Sequence, residues 1–325
     1  MSNILLIGSG GQVGQELQQT LAPIGTLTSI SREALDLTQL ERVGELIRQT
    51  QPHLIVNAAA YTAVDQAESE PELANLINGD APRVMAEAAA HLGAAFIHIS
   101  TDYVFDGKKN TPYVEDDAPN PLGAYGRSKR LGEEGIQHVA ANEECKGNPF
   151  RYAILRTAWV YGALGKGNFV KTMLRLGAER EELRVVTDQV GTPTWAADIA
   201  KAITVLSTHF LEDPSLESST HPSTQLPTSG IYHFTNSGIT SWYDFAVAIF
   251  EEAAAIGFPV KLQRVIPITT AEYPTPTQRP AYSALAWQKI AAVMAAPPPH
   301  WRQELRQMLT QLYAQTYESN YSLRR

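Results

Sequence analysis

Tyr125 stands four residues before Lys129 in the stretch AYGRSK, residues 124–129. Residues four apart share one face of a helix, so this phenol and ammonium can meet. A free phenol ionises near ~10, too high for easy proton exchange at neutral pH. A cation nearby favours the phenolate and lowers that value. The pair is therefore a candidate acid/base couple in which Lys129 tunes Tyr125 and stays free to bond a ribose. Taken alone, Y-x-x-x-K is common on solvated helices. A third group comes from FIHISTDYVF (96–105), which leaves Ser100, Thr101 and Asp102 at the end of an apolar strand pattern. Open α/β sheets bind ligands at that edge, and a Thr101 hydroxyl there can bond both a substrate oxygen and the phenol.

The second chemical signal is IGSGGQVG (7–14), which follows the first strand pattern directly and opens a helix. Its glycines at 8, 11 and 14 give G-x-x-G-x-x-G; Val13 breaks the strict G-x-G-x-x-G spacing. Gly8 permits a tight turn, Gly11 lets the backbone approach a pyrophosphate, and Gly14 lets helix and strand pack closely. The helix N-terminus then offers N–H donors to phosphate. About twenty residues on, an acid would hold the ribose of NAD and a base the 2′-phosphate of NADP. The stretch SISREALDL (29–37) carries both: Ser31 and Arg32 suit the phosphate, Glu33 the ribose. The balance favours NADPH, with NADH also admitted.

These residues need a scaffold. Apolar runs at 3–7, 53–59, 94–100 and 152–157 alternate with helical patterns at 12–21 and 71–93. Such alternation predicts a parallel sheet covered on both faces. The expected fold is α/β: a Rossmann-type doubly wound sheet over residues 1–158, and a smaller, discontinuous, mainly helical unit over 159–325. LRVV (183–186, within 183–207) and GIYHFT (within 230–236) are expected to return to the first sheet. Helices are expected at 241–257 and 301–317, with a Ser-, Thr- and Pro-rich surface loop from about 208 to 230.

The bulk properties exclude several classes. The chain has 325 residues and a formal net charge of −8, which argues against nucleic acid or an anionic membrane as the main partner. No apolar run approaches the ~18 residues of a membrane span. The amino-terminal apolar run is too short for a signal peptide. One cysteine, Cys145, sits in a polar NEECKGN stretch expected to be a loop; it allows no internal disulfide and suits a reducing, cytoplasmic setting. No histidine cluster or H-E-x-x-H is present, so no catalytic metal is expected.

With Thr101, Tyr125, Lys129 and the glycine loop in view, the chain resembles the short-chain dehydrogenase/reductase superfamily in its extended, nucleotide-sugar form. VNAAAYTAVDQAESEPELA, STDYVFDG, YGRSK, AWVYG, GNFVKTMLRL, DQVGTPT and YPTPTQRP occur in order from Asn3 to about Tyr282. Together they are similar to the dTDP-4-dehydrorhamnose reductase family. That resemblance implies reduction of a C4 keto sugar by NADPH, with Tyr125 as proton donor and Lys129 as its partner. It places Gly11, Gln12 and Val13 on the cofactor, Asp36 and Leu37 near the adenine, and Ala60, Tyr61 and Thr62 along its middle. Thr101 and Asp102 would meet the sugar and Trp159 would flank it. The implied partner is a small nucleotide sugar, bound by a monomer or homodimer. Magnesium serves some members, but no ligand position can be matched here. Ala158 replaces the family's hydroxyl residue, and 141–150 is longer than usual.

Some residues keep two readings. Arg279 in QRPAYS suits a diphosphate or braces its proline-rich loop. GKGN (165–168) forms a lid near the sugar, or Lys166 is simply a solvated lysine. Asp188 and Gln189 read as a structural turn, and the acids at 68–72 as a helix start. A 4-epimerase or 4,6-dehydratase is the nearest competing enzyme, although a dehydratase needs a carboxylate pair where only Asp102 stands. A non-catalytic, dinucleotide-binding regulatory subunit of the methionine adenosyltransferase type is the alternative from another class.

Overall fold

The computed structural model describes residues 2–145, 149–212 and 229–318, apart from the side chains of 144 and 145. The first half runs β1 (Asn3–Ile7), α1 (Gln12–Leu21), β2 (Thr26–Ile30), α2 (Leu40–Thr50), β3 (Leu54–Asn57), α3 (Pro71–Asn75), a π-helical turn (Leu76–Asp80), α4 (Ala81–Leu92), β4 (Ala95–Thr101), α5 (Ala124–Cys145) and β5 (Tyr152–Thr157). Then follow β6 (Val160–Tyr161), α6 (Phe169–Glu179), β7 (Glu182–Val186), β8 (Val190–Gly191), β9 (Thr194–Trp195), α7 (Ala196–Leu211), β10 (Gly230–His233), β11 (Thr240–Ser241), α8 (Trp242–Ile256), β12 (Arg264–Ile268), α9 (Gln288–Met294) and α10 (Trp301–Tyr313).

Six parallel strands form the main sheet in the order β10-β5-β4-β3-β1-β2. The order reverses between β1 and β3, and at such a switch point the loops after the two strands part to leave a crevice. Alternate residues of β1 feed two cores. Ile4 and Leu6 pack with α1, α7 and α9, while Leu5 and Ile7 pack with α2, α4 and α5. Burial on both faces is why these strands read as continuous apolar runs.

A third apolar cluster gathers Tyr161, Val170, Leu183, Trp195, Phe245, Ile249, Trp301 and Leu305 from α6, α8, α10 and the short strands. The expectation for 183–186 is corrected here. β7 pairs in parallel with β12 in a separate two-stranded sheet. Its burial alternates along the strand, the pattern of a strand covered on one face, whereas the main sheet needs both faces apolar. Helix α7 does pack on the main sheet, through Ile199, Ile203 and Leu206. It also runs to Leu211, past the expected start of the polar loop, most of which lies outside the described residues. Likewise α5 reaches Cys145, where a loop was expected. Among the described residues no helix is long and apolar enough to cross a membrane.

Candidate active site

The glycine loop turns at Gly8, whose φ is 90°, a value that favours glycine. A Cβ on Gly8 would stand 2.5 Å from the Ala59 nitrogen, and one on Gly14 would stand 2.1 Å from the Gly8 oxygen. Gly8 thus joins the loops after β1 and β3, and Gly14 seats α1 on the turn. Around Gly10 a Cβ would meet nothing within 4 Å, and at Gly11 only the Gly8 oxygen at 3.5 Å. Gly11 also provides no side-chain cap to α1. Open space before uncapped N–H groups is a cradle for phosphate.

Around this cradle, Gln12 Oε1 accepts a 2.8 Å bond from Asn168 Nδ2, and Val13 packs on the core. Gly165 lies against Gln12, with its Cβ direction 2.7 Å from Gln12 Cγ. The GKGN segment therefore packs on the glycine loop, with Lys166 close enough to act on Glu33. Ser31, Arg32 and Glu33 follow β2 directly, at the same edge of the sheet. The Ser31 hydroxyl bonds the Glu33 carboxylate and lowers its pKa. Asp36 Oδ1 accepts the Thr38 N–H at 2.9 Å. Leu37 sends its side chain into the core, leaving only its backbone for a ligand.

After β3, the segment Ala60–Thr62 is held from below. Asn78, in the π-helical turn, accepts the Tyr61 N–H at 2.8 Å and donates to the Tyr61 oxygen at 3.0 Å and to Ser128 Oγ at 3.0 Å. The Tyr61 hydroxyl donates to Glu70 Oε2 at 2.7 Å. Glu68 Oε1 accepts the Ala124 N–H at 2.8 Å, fixing the start of α5. Glu68 and Glu70 therefore brace the start of α5 and the loop after β3.

β4 and α5 bring the acid/base set together. Thr101 Oγ1 donates to Asp102 Oδ1 at 3.1 Å and accepts the Tyr103 N–H at 3.2 Å. The neighbouring Thr101 hydroxyl opposes the effect of burial on the Tyr125 phenol; burial wins and pushes the phenol above its ordinary value. Lys129 is 1% exposed. Its Nζ donates to the Ile99 oxygen at 2.7 Å and meets His98 Nε2 at 3.0 Å. Burial lowers its pKa to about 7 against the opposing pull of Glu133. The expected lowering of Tyr125 by Lys129 is thus not present in the free protein. Lys129 is turned toward His98 and Ile99, and Tyr125 stays a neutral phenol.

Asp102 is buried, and burial raises it to about 6 while Ser283 and Thr101 hydroxyls pull the other way. Its Oδ2 has no hydrogen-bond partner. Trp159 has φ 47°, a strained value for a bulky residue, and stacks on Trp242 at 3.5 Å and 8°. Arg279 is engaged within the chain: its guanidinium donates to the Tyr103 hydroxyl at 2.6 Å and to Asp65 Oδ2 at 2.7 Å. Tyr103 in turn meets the Tyr125 ring edge-on at 5.5 Å. Asp188 accepts from Thr270 N and Oγ1, structural hydrogen bonds to a segment 82 residues along the chain.

Sequence reasoning missed Asn57, Asn78, His98 and Ser283. Asn57 and His98 sit inside apolar strands, where a lone polar residue gives no periodic signal. The only sequence hint of Asn78 is Gly79 beside it in a helical run, where a Cβ would stand 2.5 Å from Leu131 Cδ2.

Residues 1–314 match the family model described as the RmlD substrate binding domain. The chain is 43% identical over 319 residues to the dTDP-4-dehydrorhamnose reductase of Escherichia coli K12, covering 97% of this chain and 99% of that one. A crystal structure of a dTDP-4-dehydrorhamnose reductase from Clostridium acetobutylicum superposes with a TM-score of 0.81 at 36% identity, covering 95% of this chain and 99% of that one. The Bacillus anthracis enzyme of the same name, solved in complex with NADP, also gives 0.81 at 35% identity, with coverage of 95% and 99%.

Proposed function

The chain belongs to the RmlD substrate binding domain family, and from that premise we propose that it reduces the C4 keto group of dTDP-4-dehydro-L-rhamnose to give dTDP-L-rhamnose, with NADPH as reductant. One observation carries this reading: Thr101, whose Oγ1 accepts the Tyr103 N–H, and Tyr125, whose ring meets Tyr103 edge-on at 5.5 Å, come together at the carboxyl edge of the sheet that also holds the glycine loop. The cradle around Gly10 and Gly11 fits a dinucleotide diphosphate. When bound, the nicotinamide supplies the hydride for C4 of the sugar.

The remaining work falls to the side chains. Tyr125, kept protonated by burial, gives its proton to the C4 oxygen as negative charge develops there. Thr101 holds the same oxygen by hydrogen bonding, and both groups favour the charged transition state over the ketone. Positioned proton transfer of this kind contributes about 10²–10⁴-fold. Trp159 flanks the sugar from a backbone held by the stack on Trp242. Ser31 and Arg32 take the 2′-phosphate that distinguishes NADPH. The sugar nucleotide lies between the sheet edge and the α6–α8–α10 cluster, which forms the substrate unit.

The test follows loss of reduced-nicotinamide absorbance with dTDP-4-dehydro-L-rhamnose, NADPH and NADH in parallel. Turnover favouring NADPH and falling by about 10²–10⁴-fold in Tyr125→Phe is expected. Dinucleotide binding without turnover on either cofactor would overturn the assignment.

A further inference from the structure

A buried polar chain runs behind the acid/base pair, and counting its protons gives a definite answer. Asn57 Oδ1 accepts the Ala59 N–H at 3.1 Å. That fixes the orientation of the amide, so Asn57 Nδ2 is a donor, and it lies 3.0 Å from His98 Nδ1. His98 Nδ1 must therefore accept. A neutral imidazole carries one proton and one lone pair, so its proton sits on Nε2, which faces Lys129 Nζ at 3.0 Å. An ammonium has three donors and no acceptor; it would set donor against donor at that contact. An amine has the lone pair the contact needs. It still has two N–H groups, one for the Ile99 oxygen at 2.7 Å and one for the site.

We propose that Asn57 and His98 are positioning residues that favour the neutral amine form of Lys129 in the free protein, and that a ligand reaching the site shifts Lys129 toward its charged form.

The surroundings agree. His98 is fully buried, and burial followed by Lys129 holds its pKa well below the ordinary value. Burial lowers Lys129 to about 7. The charged groups packed nearby do not supply a free counterion. Glu133, one turn along α5, is taken by Arg156 at 2.8 and 2.7 Å and by Arg130 at 3.3 Å. Tyr125 is an un-ionised phenol, and Ser128 and Asn78 are neutral. The chain also begins at Ala59, on the loop that touches Gly8. A phosphate arriving at the glycine loop thus acts at one end of the same hydrogen-bonded path that ends at Lys129. This role rests on the reductase reading only in placing Lys129 in the site. The test uses the free protein and no turnover, so its failure and the failure of that reading are separate events.

The measurement is nuclear magnetic resonance on cofactor-free protein labelled with ¹⁵N in histidine rings and ¹³C at lysine Cε, between about pH 6 and 9, the range in which a histidine or a depressed lysine titrates. One ring, absent from His98→Gln, should carry its proton on Nε2 and a bare Nδ1 at every pH above the Lys129 midpoint. One lysine, absent from Lys129→Arg, should titrate with a midpoint near 7. Asn57→Asp replaces the donor by an acceptor, and should move the His98 proton to Nδ1 and raise the Lys129 midpoint. A wild-type ring protonated on Nδ1 or on both nitrogens above the Lys129 midpoint overturns the proposal. So does a Lys129 that stays charged across the range, or a tautomer unmoved by Asn57→Asp. Should Asn57→Asp fail to fold, the wild-type tautomer and titration decide alone.

Discussion

Thr101 has two hydrogen-bonding neighbours, Asp102 and the Tyr103 N–H, and its hydroxyl also stands close enough to act on the Tyr125 phenol. Removing it deletes a positioned group and leaves the phenol in place. Thr101→Val should lower kcat by about 10²–10³-fold, the usual cost of one such donor, with little change in KM; steady-state kinetics reads both. A second residue-scale prediction concerns His233. Burial, then the Arg156 guanidinium, hold its pKa at about 3, while an unfolded histidine titrates near 6.5. Between those values the unfolded chain binds the extra proton, so stability is complete above about pH 6.5 and declines as pH falls toward 3. His233→Asn should flatten the fall of melting temperature over that acid range; an unchanged slope would count against it. At this scale the sequence was informative where spacing is chemical. Tyr125, Lys129 and Thr101 are legible because a helix and a strand end each leave a periodic trace. His98 and Asn57 are not, because a polar residue inside an apolar strand is visible only once its partner across the sheet is known.

Elements were legible in proportion to how their burial is patterned. β1, α1 and β5 match their sequence signals at both ends. β2 leaves little trace in TLTSI because it is the edge strand and no residue in it is buried; without it, the position of Ser31 and Arg32 at the sheet edge could not be seen. LRVV was misplaced because four apolar-rich residues do not say which sheet they join. The π-helical turn is a further hidden element, since helical periodicity on either side masks it. It presents Asn78 to both the Tyr61 backbone and Ser128. Asn78→Ala leaves buried groups unpaired and should cost about 1–3 kcal/mol, measured by denaturant unfolding. It should also weaken NADPH binding, since Tyr61 loses its support. Gly14→Ala forces a Cβ to within 2.1 Å of the Gly8 oxygen. Loss of dinucleotide binding is expected, and retained affinity would show that the turn can move.

At the scale of the molecule, one fully buried ion pair ties α5 to the sheet. Arg156 on β5 meets Glu133 on α5 at 2.7 Å with neither side chain exposed. Removing one partner strands a buried charge, so Glu133→Gln should destabilise by about 3–5 kcal/mol; replacing both by apolar residues of similar volume should recover most of that. Urea unfolding of the two variants distinguishes a pair needed for stability from a charge needed for the site. Sequence reasoning could not see the strap that ties residues 277–279 back to the loop after β3. Thr277 Oγ1 donates to the Val64 oxygen at 2.9 Å, and Arg279 donates to Asp65 Oδ2 at 2.7 Å and to the Tyr103 hydroxyl at 2.6 Å. Contacts so far apart along the chain form late, because their loop entropy is met only after local structure exists. The strap therefore sets an order of assembly during synthesis. A ribosome that has reached about residue 270 has already delivered Thr101, Tyr125 and Lys129. Yet the segment that braces Tyr103 has still to emerge. Tyr103, beside Tyr125, gains its guanidinium partner only once Arg279 has been made, long after both tyrosines.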